Sequence, residues 1–421
     1  MPEGCYQPED LDKLVPDINL NNTTPLPEVS IEEEDIASII YTSGTTGFSK
    51  GVVLTHKNLV WDARQCHTIQ PVDETYRFLS ILPMAHTYEN TLGLLLPLMF
   101  GAQVYYLDRV PTPKLLVPAM QKIRPTVVLS VPLIIEKIYK SQVLPKFTSS
   151  KLMSKLYQFA PARKLFNRLA GKKLMETFGG ELKFFGIGGS KLDGTVEQFL
   201  REAKFPYAIG YGLTETAPMA AGSNPSQTFL QGVGPVMEGV QIKINDPDKS
   251  GQGEIWIKGP NVMKGYYKRP ELTAETFTED GWFKTGDLGS FDKKNRLAIR
   301  GRIKTMILGA SGENIYPEEI ESIINNFRFV NESLVVENSG KLVAMVHFNM
   351  EELEKQYQKL KDQAGNYKEK INDYIEEQKQ ELRDYVNARV NNFSKLQLVL
   401  VQHEPFEKTP THKIKRFLYC K

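Results

Sequence analysis

The sequence predicts an α/β protein: a large N-terminal α/β body with parallel sheet layers, an appended β-rich part, and a small α+β C-terminal domain. Up to about residue 233, short apolar runs alternate with helix-length segments, which is typical of parallel layering. From there to residue 301 short apolar runs follow one another between turn glycines. Beyond residue 301 a new mixture of helix and strand patterns begins, which indicates a separate unit.

The body begins after a weakly patterned segment. Residues 1–35 contain scattered prolines and asparagines and end in an acidic run, so we expect an extended lead-in. A buried strand is expected at Ile36–Tyr41 and a helix at His56–Gln70. Further strands of the body are expected at Phe78–Leu82, Val104–Leu107, Val127–Val131, Phe184–Ile187 and Tyr207–Ile209.

The remaining elements belong to the β-rich part and the C-terminal domain. Strands are expected at Val240–Ile244, Gly253–Lys258, Leu297–Arg300, Ser333–Glu337, Leu342–Phe348 and Val399–Val401. Helices are expected at Pro317–Asn325 and over the charged stretch Glu351–Asn391. The predicted division is therefore a lead-in at 1–35, a body at 36–301 with its β-rich part from about 233, a linker at 302–304 and a C-terminal domain at 305–421.

Composition excludes several classes of protein. The 421 residues include 52 Lys and Arg against 50 Asp and Glu, which argues against a nucleic-acid partner bound through bulk charge. The longest apolar stretches, Leu92–Ala102 and Val127–Ile135, are much shorter than the roughly 20 residues of a membrane span. We expect no secretory signal, and the three scattered cysteines fit a reducing compartment. The expected localisation is cytoplasmic.

A loop rich in glycine, serine and threonine follows the first expected strand. Tyr41–Gly51 combines glycines, hydroxyl side chains and Lys50, a set that suits a loop wrapped around phosphate. Its spacing does not match the P-loop pattern of kinases and GTPases. The alternative interpretation of this segment alone is a flexible surface turn.

Further motifs follow in chain order. They are Leu82–Glu89, Tyr211–Thr216, Gly253–Pro260, Gly265–Tyr266, Gly281–Asp287, Gly301–Lys304, Gly312–Pro317 and Thr409–Arg416. Together with the loop, this set resembles the adenylate-forming superfamily of acyl-CoA synthetases, peptide-synthetase adenylation domains and luciferases. Leu82–Glu89 and the Thr-Pro-Thr-x-Lys form of the last motif resemble the long-chain fatty acyl-CoA synthetases.

The resemblance implies a two-step ligase. A fatty acid would react with ATP to give acyl-AMP and pyrophosphate, and coenzyme A would then displace AMP, with Mg²⁺ assisting the first step. Two alternatives stay open: transfer of the acyl group to a carrier protein, and an inactive, truncated remnant. The remnant is an alternative because only 41 residues precede Thr42, the first predicted phosphate-binding residue, whereas relatives usually carry well over a hundred.

The resemblance also assigns the ATP site. It would consist of Thr42, Ser43, Gly44, Thr45, Thr46, Gly47, Lys50, Gly188, Gly189, Ser190, Tyr211, Gly212, Asp287 and Arg302. Thr214 would donate to the α-phosphate, and Glu215 would hold Mg²⁺. The alternatives are a core tyrosine for Tyr211, a solvated carboxylate for Glu215, and an ordinary surface ion pair for Asp287 with Arg302.

The catalytic and acceptor residues follow from the same resemblance. Lys413 would bridge the fatty acid carboxylate and the α-phosphate; the alternative is a generic basic terminus. His86 and Gly210 would line the acyl site, with a helix-end core histidine as the alternative for His86. Lys304 would be the hinge of a mobile C-terminal domain, and coenzyme A would bind along the loop of Gly309, Ser311 and Gly312.

One charged stretch is left without a role by the motifs. Lys137–Met175 contains ten basic and no acidic residues, interleaved with apolar ones near helical spacing. One interpretation is a basic amphipathic surface, Lys137–Lys173, that makes peripheral contact with an anionic membrane. The other is that the apolar side chains pack on the body and the bases are solvated.

Overall fold

The computed structural model describes residues 29–43, 49–107, 111–148, 150–309, 313–360, 367–408 and 414–420. The strands of its first two thirds are β1 (Ile36–Ser43), β2 (Ser49–Thr55), β3 (Arg77–Ser80), β4 (Gln103–Tyr106), β5 (Val127–Ser130), β6 (Phe184–Ile187), β7 (Tyr207–Gly212), β8 (Met219–Gly222), β9 (Gln241–Asn245), β10 (Gly253–Lys258), β11 (Gly265–Tyr266), β12 (Phe283–Phe291) and β13 (Leu297–Arg302).

These strands form three sheets. The central sheet has the order β4-β3-β5-β6-β7-β8; its neighbours from β4 to β7 are parallel, and β8 is antiparallel at one edge. The β-rich part is an antiparallel sheet in the order β13-β12-β10-β9, and β1-β2-β11 form a smaller antiparallel sheet. The predicted α/β class with a parallel layer is confirmed.

Helices connect and cover these strands. They are α1 (His56–Ile69), α2 (Thr87–Glu89), α3 (Leu96–Met99), α4 (Pro113–Ile123), α5 (Pro132–Ile138), α6 (Leu144–Thr148), α7 (Lys151–Gln158), α8 (Ala160–Thr177), α9 (Gly194–Glu202) and α10 (Pro270–Thr276). Helix α1 begins with reciprocal capping bonds: the Asn58 amide donates to Thr55 Oγ1 over 3.2 Å, and the Thr55 amide donates to Asn58 Oδ1 over 2.9 Å. The predicted helix at His56–Gln70 is thus present.

The C-terminal region has its own strands and helices. They are β14 (Ile307–Leu308), β15 (Asn314–Ile315), α11 (Pro317–Ile324), β16 (Val330–Asn338), β17 (Lys341–Phe348), α12 (Met350–Leu360), α13 (Tyr367–Asn387) and β18 (Leu398–Val401). In the sheet β16-β17-β18 the first pair is antiparallel and the second parallel. The charged stretch predicted as helical contains α12 and α13, and residues 361–366 between them lie outside the described part.

The buried apolar side chains form separate clusters. One cluster extends from Val52 to Leu297 and unites the three sheets of the body, while another extends from Ile315 to Val399 in the C-terminal region. Residues 1–28 of the predicted lead-in lie outside the described residues. The boundaries at 36–301, 302–304 and 305–421, and any movement between the parts, stay predictions.

The prediction that Ile36–Tyr41 is a buried strand is wrong in its burial. The strand exists, but Ile36 is 51% exposed and Tyr41 64% exposed. The reason is its place in the sheet: among the described strands β1 pairs with β2 alone and lies at the edge, where one row of its backbone groups has no neighbour from that set.

Candidate functional site

The hairpin of β1 and β2 carries the loop predicted to bind phosphate. Thr42 pairs with Lys50, and Ser43 pairs with Ser49, so the two strands close directly below the tip. The tip residues Gly44, Thr45, Thr46 and Gly47 lie outside the described part of the chain, and their contact with phosphate stays a prediction. Lys50 is partly buried at the base of the hairpin.

A tyrosine joins this lysine to the predicted magnesium ligand. Lys50 Nζ donates to the Tyr266 hydroxyl over 3.3 Å, and that hydroxyl donates to Glu215 Oε1 over 2.9 Å. Tyr266 reaches this position because β11 pairs with β2, which places Tyr266 opposite Val52. The sequence analysis noted Gly265–Tyr266 as a motif but gave Tyr266 no role; the motif itself was the available signal.

The charges around Lys50 are mostly positive. Burial lowers the pKa of the Lys50 ammonium; Glu215 raises this pKa, and the nearby cations Lys304 and Arg302 lower it. Burial and the neighbouring Glu215 also raise the pKa of the Tyr266 phenol, so its proton stays available to the carboxylate. Three cations and one carboxylate therefore lie in one region, an arrangement suited to a polyanionic ligand.

A second chain of side chains contains the two predicted ribose ligands. Asp287 lies on β12 and pairs with Arg302 on β13, whose Nε donates to Asp287 Oδ1 over 2.9 Å. The Tyr211 hydroxyl donates to Asp287 Oδ2 over 3.0 Å. Asp287 is 5% exposed, while the Arg302 side chain is 45% exposed. A carboxylate offers about four acceptor positions, so a short acidic side chain is chemically suited to accept the hydroxyls of a sugar.

The remaining predicted nucleotide residues follow the carboxyl ends of β6 and β7. Gly188 is buried, and Gly189 and Ser190 are exposed just beyond β6. Thr214 and Glu215 form a single 3₁₀ turn after β7, and both are partly buried. Gly212 has no room for a side chain, since a Cβ there would lie 1.7 Å from the Pro218 carbonyl oxygen. Ligands of open α/β sheets bind at such strand ends.

Three buried polar side chains fix the segments that carry these residues. Asn58 donates to the carbonyls of Pro260 and Val262, over 2.7 and 2.9 Å. Asn261 Nδ2 donates to the Thr216 and Met219 carbonyls, and Asp62 Oδ1 accepts the Met219 amide over 3.2 Å. Burial raises the pKa of the Asp62 carboxyl. Helix α1 and the loop before β11 are thereby tied to the Glu215 turn.

An apolar cavity lies against the central sheet, along β5, β6 and β7. Its volume is about 60 Å³, and its lining includes Gly210, Tyr88, Leu92, Met219 and Cys66. The predicted acyl residue Gly210 is thus in the cavity wall. His86, also predicted there, is partly buried and immediately precedes the short helix that carries Tyr88. Strand β7, through Gly210, and helix α2, through Tyr88, thus line the same cavity. The role of His86 stays a prediction.

A buried carboxylate beneath this wall was missed by the sequence analysis. Glu89 is 2% exposed, and its Oε1 accepts a 2.5 Å hydrogen bond from Ser80 Oγ. Its Oε2 has no hydrogen-bond partner among the described residues, and burial raises the pKa of Glu89 to about 7. The π-helix Asn90–Leu95 follows directly. Glu89 was inside a noted motif, but only the folded structure reveals its burial.

Of the site residues predicted after Arg302, Lys304 and Gly309 belong to the described part of the chain. Lys304 is exposed in a 3₁₀ turn after Arg302, and the Gly309 amide donates to the Glu313 carbonyl over 2.8 Å. Ser311, Gly312 and Lys413 lie outside the described residues. Two bases that accompany Lys413 in the motif have partners in the C-terminal region: Lys415 pairs with Glu407 at 3.2 Å, and Arg416 pairs with Glu321.

Glu215, the predicted magnesium ligand, is a single carboxylate in this site. Among the residues that the structure describes, no three His, Cys, Asp or Glu side chains are grouped as metal ligands. Mg²⁺ accompanying ATP is held by one or two carboxylates together with phosphate oxygens, so a single carboxylate fits that requirement.

Within the described ranges, no helix combines the length and apolar character that crossing a bilayer requires.

The fold of this chain is similar to that of solved structures. An ATP-bound chimera named RpMatB-BxBclM B1 has a TM-score of 0.72 at 25% identity, covering 94% of this chain and 69% of that chain. The o-succinylbenzoate coenzyme A synthetase of Bacillus subtilis, in complex with ATP and magnesium ion, has a TM-score of 0.69 at 24% identity, covering 93% and 71%.

Curated relatives include long-chain acyl-CoA synthetase 6 of Arabidopsis thaliana, 30% identical over 95% of this chain and 61% of the relative. Long-chain-fatty-acid–CoA ligase 1 of Saccharomyces cerevisiae is 32% identical, over 73% and 47%. A chloroplastic acyl-carrier-protein ligase of Arabidopsis thaliana, AEE15, is 30% identical, over 80% and 54%. The chain thus spans less than two thirds of the length of each of these relatives.

The family profile described as "AMP-binding enzyme" matches residues 3–267, which include the hairpin, the strand ends and the Glu215 turn. Sequence motifs, strand order and this match agree, and the chain belongs to the AMP-binding enzyme family.

Proposed function

We propose that this chain activates a fatty acid with ATP through an acyl-adenylate and transfers the acyl group to coenzyme A. The observation that carries the proposal is the grouping of Glu215, Arg302 and Lys304 around Lys50, with Asp287 paired to Arg302. Family membership and the names of the relatives support it. A cationic region with one partly buried carboxylate suits a magnesium-bound triphosphate.

Each end of the nucleotide would have its own residues. Asp287 would accept the ribose hydroxyls, and Arg302 would hold the carboxylate in place through its 2.9 Å contact. Tyr211 would lie against the adenine while its hydroxyl stays on Asp287. Lys50 would face the phosphates, with Thr214 at the α-phosphate. Glu215 would hold Mg²⁺, which when bound neutralises phosphate charge.

The chemistry explains why cations are required. A carboxylate oxygen of the fatty acid bonds to the α-phosphorus while the bond to the β-phosphate breaks, and pyrophosphate leaves. Two unit charges about 4 Å apart interact with about 4 kcal/mol at an effective dielectric constant of about 20. Lys413 would offset this repulsion between carboxylate and phosphate. In the second step the thiol sulfur bonds to the acyl carbon, AMP leaves, and the thiol proton is released.

The apolar cavity is the proposed start of the acyl site. At about 60 Å³ it is far smaller than the roughly 300–1,000 Å³ of ligand pockets, so an acyl chain requires wall side chains to move. Met219 is suited to this movement because its side chain is flexible, and its methyl group lies 2.6 Å from where a Cβ on Gly210 would be. His86 would lie at the carboxylate end.

The acceptor step is proposed to use a movement of the C-terminal part. Lys304 would be the hinge, and rotation would replace Lys413 by the loop of Gly309, Ser311 and Gly312 at the thiol path. Lys304→Pro should then impair one half-reaction more than the other. Equal losses of pyrophosphate exchange and thioester formation would contradict the hinge.

Exchange of labelled pyrophosphate into ATP tests the first step. Exchange that depends on added fatty acid is expected from the purified chain, and its absence would favour an inactive remnant. The acceptor is then identified by adding coenzyme A or a phosphopantetheine carrier protein. Transfer to the carrier alone would support the alternative of a carrier-protein ligase.

A further inference from the structure

We propose that the outer faces of α7 and α8 form a docking surface for a membrane containing anionic lipid. The surface, called here the basic ridge, contains ten residues: Leu152, Lys155, Leu156, Phe159, Lys164, Leu165, Arg168, Leu169, Lys172 and Lys173. This inference concerns where the chain binds, and it is independent of the proposed ligase activity.

The apolar members of the basic ridge are exposed to solvent. Leu152 is 69% exposed, Phe159 63%, Leu165 58% and Leu169 61%. The interpretation that all the apolar side chains of this stretch pack on the body is therefore wrong for these four. Surface leucines that occur singly require no explanation, but these four apolar side chains lie close together in the sequence, on α7, on α8 and on the residue between the two helices.

Helix α8 has two different apolar faces. Asn167, Gly171 and Leu174 are its buried residues, and they lie on one side of the helix. Leu165 and Leu169 are four residues apart on the opposite side, with Lys164, Arg168 and Lys172 beside them at the same spacing. The exposed leucines thus belong to a second stripe that the protein core does not use.

The inner faces of the two helices are fixed to the body. Phe147 stacks on Tyr157 of α7 and on Phe166 of α8, with ring centroids 4.8 and 5.6 Å apart. Arg163 forms a 2.9 Å ion pair with Glu202 of α9. Because Phe147 contacts both helices, the inner faces of α7 and α8 pack toward the same part of the body. Their exposed faces therefore lie on the solvent side of one helical layer.

Charge identifies the partner as an anionic lipid surface. Lys137–Met175 has ten bases and no acid, whereas the whole chain has a net charge of only +2, so positive charge is concentrated here and offset elsewhere. Bases flanking an exposed apolar stripe match a bilayer interface, where apolar side chains enter the acyl boundary and bases meet lipid phosphates and carboxylates. A nucleic acid would use the bases but leave the leucines exposed.

Flotation of the full chain with lipid vesicles tests the proposal. We expect binding to phosphatidylcholine vesicles that contain phosphatidylserine, little binding to pure phosphatidylcholine, and weakening by salt. Lys164→Glu with Lys172→Glu should lower the partition coefficient by about tenfold or more. Leu165→Ser with Leu169→Ser should lower it by about tenfold, since the leucine contribution scales with buried apolar area.

Matched variants elsewhere on the surface provide the controls. Lys293→Glu with Lys294→Glu, and Leu230→Ser with Leu418→Ser, change exposed residues outside the basic ridge and should leave binding unchanged. Equal binding to vesicles with and without phosphatidylserine would overturn the proposal, as would an equal loss in the control variants. The proposal would also be overturned if the leucine variant converts a dimer to a monomer and still binds vesicles. The basic ridge would then contact a second copy of the chain.

Discussion

Two arginine–carboxylate pairs in this protein have different surroundings. In the body, Asp287 is 7% exposed at its side chain while Arg302 is 45% exposed, and the buried Tyr211 supplies a further hydrogen bond. In the C-terminal region, Glu321 is 13% exposed and Arg416 21% exposed. Arg416 also donates to the Val335 carbonyl over 3.3 Å. The first pair opens toward solvent, where a ligand can share its hydrogen bonds; the second is enclosed and connects chain segments.

The enclosed pair should contribute more to stability than the open one. Arg416→Leu is expected to lower the free energy of unfolding by about 3 kcal/mol, because Glu321 would stay buried without its cation. Burial already raises the pKa of Glu321 to about 7, with Arg416 acting in the opposite direction. Urea denaturation measures the change.

Arg296→Leu is the matched control for this variant. Arg296 pairs with Asp292 at 2.5 Å, but both side chains are about one-third exposed. Such a surface pair contributes about 0–1 kcal/mol. A loss in Arg416→Leu no larger than that in the control would show that the comparison of enclosed and open pairs is mistaken.

The open pair should matter chiefly for activity. Asp287→Ala is expected to reduce fatty-acid-dependent pyrophosphate exchange by about 100-fold or more, because the proposed ribose acceptor is removed and Arg302 loses its partner. The kcat and KM for ATP in the exchange reaction measure the effect. Asp292→Ala removes a carboxylate from a surface pair and should leave exchange unchanged. Unchanged exchange in Asp287→Ala would remove this pair from the site.

Glu89 extends the comparison to a buried carboxylate whose hydrogen bond in the described part of the chain comes from a serine hydroxyl, that of Ser80, and not from an arginine. Burial raises its pKa to about 7 in the folded chain, against 4.5 as the ordinary value. The protonated form is therefore favoured by folding: its stabilising effect is complete below pH 4.5 and is lost as the pH rises toward 7. From pH 5 to pH 7.5, this group should reduce the free energy of unfolding by about 2 kcal/mol.

Glu89→Gln isolates that contribution. The amide keeps the size of the side chain but does not titrate, so the variant should lose about 2 kcal/mol less than the parent between the two pH values. Urea denaturation at both pH values provides the measurement, and Glu176→Gln, at an exposed position of α8, is the control. Parallel pH dependence in parent and Glu89→Gln would contradict the assignment.

Local sequence patterns predicted some strands with their first and last residues, and they missed other strands for physical reasons. Phe184–Ile187 and Gly253–Lys258 were predicted with their observed bounds, since their apolar residues lie in compact runs between turn signals. Strand β2 was missed because its first residues, Ser49–Gly51, belong to the glycine-rich motif. The burial of β1 was predicted wrongly because edge position depends on partners distant in sequence.

For the candidate site, the sequence analysis named residues but not the contacts between them. The motifs named Lys50 and Glu215, but the hydroxyl of Tyr266 that joins them depends on the pairing of β2 with β11, separated by about 200 residues in the chain. Likewise, the 3.0 Å contact of Tyr211 with Asp287 joins two different sheets. Such contacts come from tertiary packing, which spacing along one segment does not reveal.

The smallest expected effect concerns an exposed ion pair between the body and the C-terminal region. Lys191 Nζ lies 2.7 Å from Glu319 Oε1, with side-chain exposures of 26% and 35%. If the C-terminal part rotates between the half-reactions, this contact exists in only one arrangement. Glu319→Gln should then change the ratio of pyrophosphate exchange to thioester formation by about two- to fivefold, which corresponds to less than about 1 kcal/mol.

Glu407→Gln is the matched control for this variant. Glu407 pairs with Lys415 at 3.2 Å, and both residues belong to the C-terminal region, so their contact survives any rigid rotation of that region. The ratio of the two half-reactions should therefore stay at the parental value in Glu407→Gln. A ratio that is equally unchanged in Glu319→Gln would mean that the Lys191–Glu319 contact does not distinguish the two arrangements.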